Sequence, residues 1–192
     1  MTKKVRYNMS MMLDVGCKNF AETALTENDF NDRINISQKN MAALIFGYTS
    51  IEAFINEVIS ISEVSNKLSK PKEYFDSIIE LGKKLSIKDK YNLLAILLDV
   101  ELWDSSSEPF QSFEIIQTIR NEVIHHKGNW HEHGGIPIKK LKPVFDKFKL
   151  KSLSTSWQSE LFLCNDFGAW IYEKSNAMRK QIHEKILRKI EE

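Results

Sequence analysis

Apolar residues recur at helical spacing along most of this chain, and strand-like alternation is absent. From Met41 to Ile59 the run MAALIFGYTSIEAFINEVI places Leu44, Ile45, Tyr48, Ile51, Phe54, Ile55, Val58 and Ile59 on one broad face. Glu52 projects within that face, between Ile45 and Ile59. Pro71 opens a helix carrying Ile78, Ile79 and Leu81, and Ser86 is the cap for the next, with Tyr91, Leu93, Leu94, Ile96, Leu97 and Leu98. The segment DSSSEP at 104–109 reads as a loop whose serines cap the helix that follows. That helix carries Phe113, Ile116, Ile119, Val123 and Ile124. Gly128, Gly134, Gly135 and Pro137 break the chain after it, and Pro143 opens a short helical piece through Phe145 and Phe148. No proline interrupts the stretch from Ser156 to Ile190, which reads as one long helix. Its last turns are highly charged, which leaves them to project from the body or to pair with a second subunit. The pattern predicts an all-α, single-domain helical bundle over residues 1–192, with an N-terminal helical arm at 1–36, a polar Gly/His loop at 127–137 and a long C-terminal helix.

Within this pattern Arg120 is out of place. At about 100° per residue, Phe113, Ile116, Ile119, Val123 and Ile124 form one apolar arc, and Arg120 falls inside it. A guanidinium does not shed its charge, so it needs a partner there or a water-filled cleft. Glu52, an acid inside the other apolar face, is the expected partner. Two readings of that pair stay open: a structural ion pair, or an acid that positions the arginine for chemistry. His125 follows on the polar side, roughly 140° around the helix from Arg120 and one turn after Asn121. Arginine and histidine supply a fixed positive charge and a group titrating near neutrality, which are the needs of a metal-free phosphodiester-cleaving site.

The arginine-asparagine pair with a histidine at the fifth position after the arginine resembles the Arg-x4-6-His signature of the HEPN superfamily. The run GYTSIEAFINEVI looks like the aliphatic helix with an embedded acid that precedes it in that family. The resemblance covers about Met41 to Glu192, and only these two segments are diagnostic. It implies a HEPN-type bundle, often dimeric, and a metal-independent endoribonuclease of the toxin or defence type without a cofactor. Arg120 and His125 would carry over as catalytic residues, Asn121 as the polar residue that commonly follows the arginine, with Glu52 supporting. Two copies would bring their signature helices together in one composite cleft. A subgroup of the family carries a tyrosine two positions after the histidine, the site of nucleotidylation by a partner transferase. Lys127 stands there in this chain, which puts that regulation in doubt and leaves an antitoxin or regulatory partner of another kind open. A silent module of the same superfamily, binding a protein, nucleotide or RNA without cutting, is the alternative, and an unrelated helical scaffold the third.

On the ribonuclease reading, the RNA 2′-hydroxyl is the nucleophile and the protein moves protons and stabilises charge. His125, with an ordinary pKa of about 6.5, accepts the hydroxyl proton or donates to the leaving 5′-oxygen, and sequence does not choose between these. Arg120 holds a non-bridging phosphate oxygen, while Asn121 orients His125 or binds the phosphate. His125, His126, His131 and His133 fall within HHKGNWHEH, four of the chain's five histidines, but their spacing matches none of the usual zinc patterns. A solvated loop is the plainer reading. Candidate RNA contacts are His126, Lys127, Trp130, Lys139 and Lys140: Trp130 either stacks on a base or caps the bundle. Lys139, Lys140, Lys142, Lys147, Lys149 and Lys151 make either a solvated face or a phosphate-contacting rim.

Composition changes this picture little. The chain has 192 residues, 42% of them hydrophobic, enough for one sizeable core, and a formal net charge of +1 that does not advertise nucleic-acid binding. Its two cysteines, Cys17 and Cys164, are too few for a disulfide framework and suit a reducing compartment. Lys3, Lys4 and Arg6 are followed by Asn8, Ser10 and Asp14 and not by an apolar core, so no signal peptide is read there. No stretch is expected to reach the roughly 20 apolar residues of a membrane span, and the expected location is the cytoplasm.

Overall fold

The computed structural model describes residues 8–26, 33–60, 84–124, 139–150 and 157–191. Helix is the only regular structure among them: α1 (Met9–Thr26), α2 (Arg33–Ile59), α3 (Ile87–Leu98), α4 (Phe110–Ile124), α5 (Lys142–Lys147), α6 (Trp157–Phe162) and α7 (Phe167–Ile182). A 3-10 turn at Lys139–Leu141 leads into α5, and a π turn at His183–Leu187 carries α7 into a last helical turn, α8 (Arg188–Glu191). The helix expected from Pro71 through Leu81, the Gly/His loop at 127–137 and Lys151 lie outside the described residues.

Three helices form the frame. Ser10 meets Glu57 and Phe20 meets Phe46, so α1 and α2 run antiparallel. Asn40 meets Gly168 and Phe54 meets Arg179, so α7 runs parallel to α2. Small residues permit the close approach: a Cβ on Gly47 would lie 2.9 Å from Ile171 Cγ2 and 3.2 Å from Cys17 Sγ. The stretch read as an N-terminal arm therefore contains a helix packed on both α2 and α7.

α2 begins at Arg33, eight residues before the run read from sequence, because Ile36 and Asn40 already sit on the buried face one turn apart. Most of its predicted face holds: Leu44, Ile51 and Ile55 are fully buried and Tyr48, Val58 and Ile59 nearly so, while Ile45 and Phe54 are only part-buried. Side chains of this size contribute about 1.5–3 kcal/mol each on burial. The helix is also long and apolar enough by composition to cross a membrane, contrary to the expectation, with a mean hydropathy of 1.3 over an 18-residue window. Half of that window, 50%, is buried inside the bundle.

α3 starts as predicted. Ser86 has an extended backbone, its Oγ accepts from the Asp89 N–H, and Asp89 Oδ2 accepts from the Ser86 hydroxyl at 2.6 Å. Asp99 ends it in the left-handed region, with φ of 54°. The serines before α4 do not cap it with their hydroxyls. Instead the Ser107 carbonyl accepts from Gln111 N–H, and Ser112 donates its hydroxyl to Glu108. Pro143 does sit in the first turn of α5.

The long C-terminal helix is present, running from Phe167 to Glu191, but its expected start near Ser156 is a correction. The chain breaks between Phe162 and Phe167, where Asn40, fully buried on α2, clamps both ends. Its Nδ2 donates to the carbonyls of Phe162 and Cys164, both at 2.8 Å, and its Oδ1 accepts from Gly168 N–H at 2.9 Å. One carboxamide thus satisfies the loose end of α6 and an orphan donor in the first turn of α7. The final turns do not project either: Ile182, Ile186 and Ile190 are 0%, 0% and 2% exposed. Isoleucines four residues apart drift by about 40° per step on an α-helix. The wider π turn at His183–Leu187 takes up that drift and keeps all of them on the core.

Candidate functional site

The face of α4 toward α2 carries Phe113, Gln117 and Arg120, spaced so that they share one stripe. Tyr48 of α2 meets all of it. Its ring stacks on Phe113, with centroids 5.7 Å apart and planes 5° from parallel, and the Arg120 guanidinium carbon lies 5.1 Å from the ring centroid. Gln117 lies close to the hydroxyl. Burial pushes the Tyr48 pKa up and the Glu52 carboxylate adds to that, while Arg120 and Gln117 pull it back. The net direction is upward, so the hydroxyl keeps its proton.

The expected ion pair is not formed. Arg120 donates from Nη1 to Asn121 Oδ1 at 3.1 Å and lies over the Tyr48 ring; no carboxylate, Glu52 included, pairs with it among the described residues. Glu52 is nevertheless close enough for its charge to act on the same tyrosine hydroxyl as Arg120 does. An aromatic face accommodates a guanidinium without burying a second charge, which removes the desolvation cost a Glu52 bridge would carry. The apolar arc is also shorter than the sequence indicates: Phe113, Ile116 and Ile119 are fully buried, Val123 is half-buried, and Ile124 is 46% exposed. Arg120 therefore stands where α4 leaves the core, with Asn121 exposed beside it. Asn121 turns its carboxamide oxygen to Arg120, which gives it a part in holding the arginine. His125, His126, Lys127, Trp130 and the rest of the histidine cluster lie outside the described residues, which end on this helix at Ile124.

A second polar centre, unread from sequence, lies on another face of α4. Glu114 accepts from Trp103 Nε1 at 2.9 Å, from the Ser105 hydroxyl, from Lys140 Nζ at 2.6 Å and from Lys88 Nζ at 3.4 Å. Burial raises its pKa, but the hydrogen bonds from Lys140, Ser105 and Trp103 and the Lys140 charge outweigh that and hold it at about 2. Lys140, a candidate RNA contact, is thus committed to an internal acid. Of the remaining basic stretch, Lys142 pairs with Asp146 at 3.5 Å and Lys147 lies over the Phe148 ring.

A third cluster ties the frame together. Arg179 donates from Nη2 to the Ser10 carbonyl at 2.9 Å, approaches Asp14 at 3.6 Å and lies over the Phe54 ring. Glu57 caps the start of α1 by accepting from Ser10 N–H and its hydroxyl. Burial lowers the Arg179 pKa, with Asp14, Glu57 and Tyr172 acting against that. The fold engages this arginine through Nη1, Nη2 and the Phe54 ring, while its buried Nε faces Asp14 without a hydrogen bond.

A cleft of about 220 Å³ opens between α4, α5 and α7, lined by Gln111, Ile115, Val144, Lys147, Trp170 and Lys174, among others. It lies toward the N-terminal end of α4 and does not include Arg120, which is five residues beyond Ile115, or about 8 Å along the helix. Among the described residues no group of His, Cys, Asp and Glu is arranged to hold a metal ion. Both cysteines are free; burial, with Asp14 adding, pushes Cys17 up to about 12, and burial, with Asp166 and Glu160, pushes Cys164 up to about 11, so neither is a ready nucleophile.

Compared with known proteins, the chain matches no family model, no curated protein and no solved structure.

Proposed function

We propose that this chain is a metal-independent endoribonuclease of the toxin or defence type, resembling the HEPN superfamily, that acts on RNA as a homodimer. The observation that carries the reading is Arg120: a guanidinium at the edge of the core, seated on an aromatic ring and paired with no carboxylate among the described residues. Its charge is left for an anion from outside. The histidine that completes the signature follows Ile124 directly in sequence.

In the proposed reaction the RNA 2′-oxygen attacks the adjacent phosphorus, the bond to the 5′-oxygen breaks, and the products carry a 2′,3′-cyclic phosphate and a 5′-hydroxyl. Arg120 holds a non-bridging oxygen as charge builds on the phosphorane-like transition state. His125 transfers a proton at the 2′- or the 5′-oxygen. A two-fold axis supplies a second Arg120 and a second His125, which gives one cleft both an acid and a base without requiring both from one helix.

The test is cleavage of labelled single-stranded and transfer RNA in EDTA by the wild-type protein and by folded His125→Ala and Arg120→Ala variants. The expected result is chelator-resistant cutting, reduced about 100-fold or more in each variant. Ends bearing 5′-phosphates, or equal cutting by all three proteins, overturn the reading. Absence of cutting by a folded dimer on a broad RNA panel transfers the proposal to a silent module that binds a protein, nucleotide or RNA.

A further inference from the structure

We infer that Tyr48 is the positioning residue for Arg120, a platform that sets where the guanidinium can meet a phosphate. The inference rests on the reading of Arg120 as the phosphate-holding charge. Phe113 and Arg120 stand two turns apart on α4, about 10 Å along its axis, and the Tyr48 ring contacts both. The residue is only 8% exposed and its ring is nearly parallel to that of Phe113, so it has little freedom to tilt. Gln117, from the turn of α4 between those contacts, lies close to its hydroxyl. The ring contacts of Tyr48 with Phe113 and Arg120 are thus both with the helix that carries Arg120, and the ring orients the arginine in return.

Chemistry separates this platform from a carboxylate partner. A Glu52 bridge would neutralise Arg120 and compete with an incoming phosphate for the same N–H groups. An aromatic face attracts the cation through its quadrupole, leaves the charge intact and leaves the edges of the guanidinium free to donate. One edge goes to Asn121, by way of Nη1. The side chain is oriented while unneutralised, as a preorganised phosphate clamp requires.

The test has a structural arm and a kinetic arm. In the wild-type protein, the Arg120 side-chain NMR signals, assigned with Arg120→Lys, should be shifted upfield by the Tyr48 ring current. Tyr48→Phe should keep that shift and Tyr48→Leu should lose it. With RNA substrate, Tyr48→Leu should lower kcat about 10- to 100-fold with little change in KM, because the substrate still binds while the clamp is misplaced. Tyr48→Phe should restore most of that loss. Absence of the upfield shift in the wild type overturns the inference whatever the fate of Tyr48→Leu, and so does an unchanged kcat in folded Tyr48→Leu. Should the wild type cut no RNA, the ribonuclease reading falls, and the NMR arm still decides whether Tyr48 holds Arg120.

Discussion

Asn40 offers the sharpest test of how the bundle is built. Replacing it by alanine removes the donor to the Phe162 and Cys164 carbonyls and the acceptor of Gly168 N–H, all in the core. Cys164 keeps one partner, since its carbonyl also accepts from Phe167 N–H at 3.0 Å. The Phe162 carbonyl and Gly168 N–H lose the only side-chain bond each has. A buried backbone group left unsatisfied costs about 1–3 kcal/mol. Adding the small cavity, Asn40→Ala should lose about 3–5 kcal/mol, a large part of the roughly 5–15 kcal/mol of a typical domain. Equilibrium urea unfolding, followed by tryptophan fluorescence and circular dichroism, measures it. The thermal midpoint should fall by about 6–20 °C for a chain of this size. Asn40→Asp sharpens the reasoning, because a carboxylate accepts from Gly168 but faces two carbonyl oxygens. Burial and those carbonyls raise its pKa in the folded state, so its stability should improve as pH falls and the protonated acid regains a donor. A loss below about 1 kcal/mol in Asn40→Ala, or an Asn40→Asp protein that weakens steadily on acidification relative to wild type, refutes the clamp.

Glu114 predicts a pH dependence of known sign. Its folded pKa of about 2 lies below its ordinary 4.5, so its contribution is complete above about pH 4.5 and is lost as pH falls through about 2. The shift sets a ceiling of about 3 kcal/mol, and because Lys88 and Lys140 are 44% and 45% exposed, screening brings the expected value to about 1–2 kcal/mol. Glu114→Gln should lose that amount at neutral pH and flatten the fall in stability between about pH 4.5 and 3; identical urea midpoints for both proteins at every pH would contradict it. Gly168→Ala sets two effects against each other. Alanine favours helix by about 1 kcal/mol, but its Cβ would sit 2.7 Å from Asn40 Oδ1 and 3.1 Å from Ala21 Cα, so a net loss of about 1–3 kcal/mol is expected and a stabilised protein would count against the packing.

Local signals in the sequence were enough for α3, with its Ser86 cap, for α5, with Pro143 in its first turn, and for the buried face of α2. Each rests on residues within a few positions of one another. The break before α7 rests on Asn40, 122 residues away from Phe162, and no periodicity carries that information. A weak local sign was present in Asn165, Asp166 and Gly168, residue types that favour turns, inside a stretch read as unbroken helix. The isoleucines at 182, 186 and 190 were masked in the same way by the charges between them, since the π turn that aligns them is set by packing. At the candidate site, the misplaced Arg120 was legible because it violates the apolar arc. Its partner was not, because charge complementarity points to Glu52, whereas the contact is an aromatic one with Tyr48 on the same facing helix.

On the proposed function, that substitution of partner marks Arg120, among the described residues, as a cation open to an external anion. The net charge of +1 gives no overall attraction, so individual charges matter more than the total. Arg179 is filled by Ser10, Asp14 and Phe54. Lys140 is drawn to Glu114, and Lys142 faces Asp146. Arg120 is at the surface end of a core helix, oriented by an aromatic ring and an amide, both of which leave its full charge in place. A phosphate arriving there displaces no carboxylate, so the binding energy is not spent on breaking an ion pair. Tyr48 is a neutral phenol at its ordinary pKa of 10.0, and burial, with the Glu52 charge adding, raises that pKa further, so the platform does not become a competing anion.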